Sequence, residues 1–145
     1  ETLLDGTIIS YEFDAAGNRT RKTAAQPSGG ISEVGYTYDA ANQLTSAAGQ
    51  PFTYDANGNL TNNGAKSFVY DEENRLIQVK DSQGTVIASF TYDYEGKRTS
   101  MTVQGTTTYF HYNGDKVAYE TDANNNVTAE YTWDAQGNPV TMTKN

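Results

Sequence analysis

The stretch Phe52-Thr53-Tyr54-Asp55-Ala56-Asn57-Gly58-Asn59-Leu60-Thr61 decides the fold, because it holds every signal of a β-hairpin. Two aromatic residues at positions i and i+2 share one face of a strand, since strand side chains alternate between faces. Asp55 suits the first position of a type I turn, and Gly58 supplies the positive φ that leads into the return strand. Leu60 is then placed to pack across from Tyr54. The stretch therefore predicts strand, turn and strand.

The same pattern, aromatic-x-aromatic-Asp-x-x-Gly/Asn-x-Arg/Leu, recurs along the chain, with a degraded copy at 119–127 that has Thr121 as its second aromatic position. Successive Asp residues are 25, 16, 16, 22, 29 and 12 residues apart, as hairpins of unequal length would give. We predict a single array of about six to seven units over residues 1–145. The candidate structural residues are the second aromatic, the Asp and the turn glycine of each unit: Phe13, Asp14, Gly17, Tyr38, Asp39, Tyr54, Asp55, Gly58, Tyr70, Asp71, Tyr92, Asp93, Gly96, Trp133, Asp134 and Gly137.

The composition indicates an all-β fold built on aromatic rings and excludes several functional classes. Eleven Tyr, five Phe and one Trp replace a missing aliphatic core, and we expect these rings to form the buried face of the sheet. The absence of Cys excludes disulfides, thiolate metal sites and a cysteine nucleophile. A net charge of −8 with scattered basic residues argues against a nucleic-acid or membrane partner. No apolar run has the length of a membrane span, and no signal peptide is recognisable.

No catalytic residue, cofactor or metal site is predicted. The Asp/Asn/Gly turns superficially suggest calcium loops, but they lack the alternating carboxylates and the terminal Glu of such loops, so turn capping is favoured. His111, the single histidine, cannot form a zinc site without cysteines. Most of the Asp residues are assigned to turns, which leaves little for an enzyme. The aromatics assigned outside the pattern are surface candidates for ligand contact: Tyr94, Tyr109, Phe110 and Tyr112.

The iterated Tyr-Asp followed by Gly-Asn-Arg/Leu resembles the YD-repeat, or Rhs-repeat, family. That family includes bacterial polymorphic-toxin shells, wall-associated proteins, the C component of insecticidal toxin complexes and the teneurin ectodomain. The resemblance covers essentially the whole chain. It implies repeated antiparallel β-hairpins in a curved, spiralling sheet that forms part of a hollow shell.

The resemblance also sets expectations about function and partners. In toxin members the shell encloses a C-terminal effector, so we expect a non-enzymatic wall module of an exported or cell-surface, bacterial protein. The chain begins in mid-pattern and shows no core-associated cleavage segment, so we expect an excised piece of a longer shell. Its partners would be the rest of that shell and a toxin cargo, with self-association possible through open sheet edges. The alternative is an adhesion module that binds a glycan or a cell-surface protein.

Overall fold

The computed structural model, which describes residues 1–144, contains antiparallel β-strands and no helix within that range. The predicted all-β fold of repeated hairpins is thereby confirmed. No helix of residues 1–144 has the length and apolarity needed to cross a membrane. The strands are β1 (Ile8–Phe13), β2 (Arg19–Ala25), β3 (Ile31–Tyr38), β4 (Leu44–Ala47), β5 (Gln50–Pro51), β6 (Thr53–Tyr54), β7 (Leu60–Asn62), β8 (Ser67–Tyr70), β9 (Leu76–Lys80), β10 (Val86–Tyr92), β11 (Arg98–Val103), β12 (Thr106–Asn113), β13 (Lys116–Thr121), β14 (Val127–Trp133) and β15 (Pro139–Lys144).

The strands fall into two compact units. The first, Glu1–Ala65, contains a sheet with strand order β1-β2-β3-β4-β5, followed by the β6–β7 hairpin. The second unit begins at Lys66, and in it strands β8 to β15 pair in chain order. Strands that pair within each unit are thus sequence neighbours, which is the topology that short turns between antiparallel strands produce.

A β-bulge lies beside the second aromatic of each hairpin whose first strand carries the paired rings, which we call a ring hairpin. In β10–β11, Thr91 pairs with Ser100 and Tyr92 with Arg98, so that Thr99 is an extra residue. The hydroxyls of Thr99 and Ser100 both lie within hydrogen-bond distance of Thr91 Oγ1, at 2.8 and 2.7 Å. The same register shift occurs at Glu12/Phe13, Thr37/Tyr38, Thr53/Tyr54, Val69/Tyr70, His111/Tyr112 and Thr132/Trp133.

The two faces differ in chemistry, and we call them the ring face and the threonine face. The paired aromatics, such as Phe90 and Tyr92, share the ring face. The residue between them, such as Thr91, points to the threonine face and is exposed. Cross-strand threonine pairs on that face hydrogen-bond at 2.6–2.9 Å: Thr37–Thr45, Thr53–Thr61 and Thr132–Thr141.

The expectation that the aromatic rings form a buried face overestimates how deeply the rings are buried. Within residues 1–144 no large side chain is fully buried, and the one buried apolar residue is Ala129. Most paired rings are half-buried, whereas Phe13 in β1 is 61% exposed. In the second unit all strands belong to one sheet, so the ring face packs mainly against side chains of neighbouring hairpins. Rings there are covered sideways, which leaves part of each accessible.

Two sequence-based assignments in the β12–β14 region are also corrected: the surface position of Phe110 and Tyr112, and the repeat unit assigned to the Asp122 turn. Phe110 and Tyr112 are half-buried, and β12–β13 is a ring hairpin whose turn lacks the usual Asp. Its loop follows Asn113 and has Gly114 with φ +59°. The Asp122 turn joins β13 to β14 instead, and antiparallel pairing in chain order places it at the opposite end of the strands. The Asn-Gly pair is itself a hairpin signal, but the rings before it were not assigned to the repeat because the repeat was aligned on Asp.

Candidate functional site: capped turns and aromatic staples

Each Asp turn uses four hydrogen bonds of one geometry. At Asp93, the backbone N–H donates to Lys97 O at 2.9 Å and the carbonyl accepts from Gly96 N at 3.1 Å. Its Oδ1 accepts from the backbone N–H of Glu95 and of Lys97, at 2.9 and 2.8 Å. The turns with the same four bonds begin at Asp14, Asp39, Asp55, Asp71, Asp81, Asp122 and Asp134.

The fourth residue of each turn has positive φ, which the Gly/Asn of the pattern predicts. Glycine there has φ between +82° and +87°, as at Gly17, Gly58, Gly84, Gly96 and Gly137. Asparagine has φ of +60° or +61°, as at Asn42, Asn74 and Asn125. Asn tolerates the left-handed region because its side chain is short and polar, so both residue types serve this position.

The second carboxylate oxygen is occupied in several of these turns. Asn138 Nδ2 donates to Asp134 Oδ2 at 2.9 Å, and this bond is the largest cause of a lowered Asp134 pKa. In the turn at Asp71 the donor is Arg75 Nε, at 2.8 Å, while the backbone N–H of Arg75 contributes most to lowering the pKa of Asp71. These carboxylates are held ionised by turn donors. Turn formation thus accounts for them without metal binding or catalysis.

In five hairpins the polar atom of the second aromatic joins the hairpin to the one before it. Tyr92 Oη donates to Leu76 O at 2.9 Å and Tyr112 Oη to Arg98 O at 2.9 Å. Trp133 Nε1 donates to Val117 O at 2.8 Å. In the first unit, Tyr38 Oη donates to Arg19 O at 3.0 Å, and Tyr54 Oη donates to Leu44 O at 3.1 Å. We call these bonds aromatic staples, and they explain why Tyr or Trp stands at this position in the five hairpins that form them.

Phe13 and Tyr70 complete the set of second aromatics. Phe13 has no polar atom and makes no staple, in keeping with its exposure. Tyr70 is half-buried at the end of β8, where it pairs with Leu76. Within each of the two compact units, the second aromatics of successive ring hairpins thus lie on the ring face, next to the capped turns.

Basic residues at or just after the turns form a second link that the sequence pattern did not single out. Arg75 Nη1 donates to the carbonyl of Asp93 in the next ring hairpin at 3.0 Å, and its guanidinium lies 5.0 Å from the Tyr92 ring centroid. Lys97 Nζ likewise donates to Gly114 O at 3.0 Å and pairs with Asp115 at 3.2 Å. The available signal was a basic residue four positions after a turn Asp. Its long side chain spans to the adjacent turn while its stem covers a ring.

No feature of residues 1–144 resembles a catalytic or metal centre. No group of three or more His, Asp or Glu is placed to hold a metal ion in this part of the chain. A pocket of about 40 Å³ at Val86–Ser89 and Gln104 is far below the roughly 300 Å³ of a small-molecule site. His111 stacks on Tyr119, with ring centroids 4.4 Å apart, and its Nε2 lies 3.0 Å from Thr121 Oγ1.

This array of staples and turns is similar to known proteins. The family model described as Teneurin YD-shell matches residues 3–145. Two proteins are each 38% identical over 124 residues: the tRNA3(Ser)-specific nuclease WapA of Bacillus spizizenii (strain DSM 15029 / JCM 12233 / NBRC 101239 / NRRL B-23049 / TU-B-10) and the tRNA nuclease WapA of Bacillus subtilis (strain 168). Each alignment covers 83% of this chain and 5% of the relative, so the chain spans a small part of their length.

Among solved structures, the crystal structure of TcdB2-TccC3-TEV is similar, with a TM-score of 0.48 and 16% identity. That match covers 94% of this chain and 8% of the other. The family match extends over nearly the entire sequence, and the repeated hairpins that carry it are present in both compact units. The chain therefore belongs to the teneurin YD-shell family.

Proposed function

We propose that this chain is a length of shell wall, part of a longer YD-repeat array that encloses a C-terminal toxin in an exported, bacterial protein. The observation that carries the proposal is the aromatic staple. In five hairpins one side-chain donor links the hairpin to the main chain of its predecessor, so the contacts repeat along the array instead of converging on one site. Such nearest-neighbour stabilisation suits an extended surface.

The wall has no enzymatic activity of its own under this proposal. The WapA relatives are named as tRNA nucleases, but only 5% of each aligns with this chain. The turn carboxylates, which would be the natural acid–base groups, are committed to backbone and side-chain donors. A net charge of −8 also disfavours contact with the RNA backbone.

A wall module needs edges that accept further strands, and β15 provides such an edge. By the repeat, Pro139 O occupies the place of Leu76 O and Arg98 O, the carbonyls that accept staples. Val140 and Met142 of this strand are 61% and 50% exposed. We expect the isolated chain to associate through such edges in a concentration-dependent manner.

Sedimentation velocity over a range of concentrations tests the wall function. Val140→Lys combined with Met142→Lys adds charge at the β15 edge and is expected to shift the protein to monomer. Gln83→Lys, at the exposed β9–β10 turn, is the matched control and should leave association unchanged. A wild-type protein that stays monomeric at all concentrations would contradict edge pairing.

The enclosed cargo is tested in the longer protein that contains this segment. Limited proteolysis should spare the polypeptide downstream of the repeats while the wall is intact. Rapid cleavage of that polypeptide in the native protein would refute enclosure without affecting the edge-pairing result.

The second candidate function, recognition of an external ligand, is favoured by one observation, the exposed aromatic side chains of β12 and β13 on the threonine face.

A further inference from the structure

An aromatic cluster interrupts the threonine face of the second unit. Tyr109 pairs with Ser100, whose hydroxyl bonds to Thr91, so Tyr109 lies on the threonine face. His111 is two residues further along β12 and pairs with Tyr119 of β13. The two rings stack 4.4 Å apart at an interplanar angle of 8°. We call Tyr109, His111 and Tyr119 the tyrosine–histidine cluster.

The two tyrosine rings of the cluster are exposed to solvent, and neighbouring side chains hold the His111 ring in place. Tyr109 and Tyr119 are 41% and 39% exposed, respectively. Thr121 lies opposite Tyr109 in the pairing of β12 with β13, is only 4% exposed, and contacts His111 Nε2. That contact and the ring stack restrict the imidazole and Tyr119, so little side-chain entropy remains to be lost on binding.

A carboxylate lies beside the cluster. Glu130 of β14 is the direct cross-strand partner of Tyr119 and therefore projects from the same face, with Cβ atoms about 5 Å apart. Glu130 is exposed, and no ion pair or hydrogen bond satisfies its carboxylate within residues 1–144. The exposed rings, the free carboxylate and the protein's net charge of −8 all favour a cationic ligand.

On the ring face, arginine side chains of the protein itself cover aromatic rings. Arg19 lies 4.5 Å from the Tyr36 centroid and Arg98 lies 5.0 Å from the Phe90 centroid. In contrast, no basic side chain of residues 1–144 lies over Tyr109 or Tyr119. A guanidinium suits the vacant position better than an ammonium, because it stacks flat on a ring and donates two parallel bonds to a carboxylate.

We propose that the tyrosine–histidine cluster and Glu130 form a docking site for an arginine side chain of a partner polypeptide. The guanidinium would stack on an exposed tyrosine ring and donate to the Glu130 carboxylate. The site is independent of the wall function, since it uses no staple and lies on the opposite face of the sheet. The two proposals therefore fail separately.

The single histidine makes the site directly observable. His111 ring protons give the one histidine signal of the protein in NMR spectra, which can be followed during titration with N-acetyl-arginine amide at constant pH and ionic strength. We expect a saturable shift of this signal. N-acetyl-citrulline amide, the neutral isostere, should produce at most a third of the shift. An equal response to citrulline would overturn the proposal.

Two variants locate the site. Glu130→Gln keeps the shape of the side chain and should weaken the arginine affinity at least about threefold, while Glu33→Gln, an exposed glutamate in the other unit, should leave it unchanged. Equal effects would indicate unspecific attraction to an acidic protein and would refute the site. Methyl-glucoside is the third probe: a saturable His111 shift with the sugar and none with arginine would overturn the proposal in favour of a glycan.

Discussion

Replacing Tyr92 by Phe should measure one aromatic staple directly. The change removes the hydroxyl that donates to Leu76 O at 2.9 Å but keeps the ring, the bulge and the contact with Arg75 at 5.0 Å. A neutral hydrogen bond contributes about 1 kcal/mol net, and a half-buried carbonyl left without its donor adds part of a desolvation cost. We therefore expect the free energy of unfolding to fall by about 1–2 kcal/mol.

Urea denaturation followed by Trp133 fluorescence and far-UV circular dichroism measures this loss. Tyr94→Phe is the matched control two residues away, because Tyr94 is 92% exposed and its hydroxyl donates to the neighbouring Glu95. That variant should stay within about 0.5 kcal/mol of wild type. If both variants were equally stable, the staple would contribute nothing and the reasoning on hairpin linkage would be refuted.

Further predictions concern the turns and the edges. Gly58→Val should lower the unfolding free energy by about 1–2 kcal/mol in thermal or urea melts, since φ is +85° there; Gly58→Asn should be much milder, and equal losses would contradict the turn argument. Phe13→Tyr supplies a missing staple donor, so sedimentation should show tighter self-association through Pro139 O; an unchanged association constant would exclude that geometry. The pKa of Asp134 is lowered by its hydrogen bonds, so its stabilising effect is present above the unfolded value of 3.8 and is lost as pH falls through the folded pKa. Asp134→Asn should accordingly flatten the acid side of the stability–pH curve measured in urea, and an identical curve would disprove the link.

The hairpins and their turns could be predicted from the sequence because both depend on local chemistry. An Asp that accepts its own turn's N–H groups and a Gly or Asn with positive φ act within five residues, so the pattern at Asp55 and Gly58 is legible in the chain. The period-two placement of rings likewise follows from strand geometry alone.

The links between hairpins were harder to foresee, since they depend on register across strands. Nothing local in the sequence says that Tyr92 reaches Leu76, or that Arg75 crosses to the next turn. The rings of Phe110 and Tyr112 were not assigned to the repeat, because the turn that follows them is Asn-Gly and lacks the Asp. Ring burial was overestimated because a single sheet cannot surround its rings. The tyrosine–histidine cluster needed the pairing of β12 with β13 to be seen at all.

The acceptor of every staple is a peptide carbonyl, a group that every residue carries whatever its side chain. Leu, Arg and Val all serve in that role here, so the neighbour's identity imposes no demand on the donor. A staple can therefore form with any residue at the acceptor position, without a compensating change there. The staples thus ask only for an aromatic donor in the later hairpin, whatever side chain the earlier hairpin carries at the acceptor position.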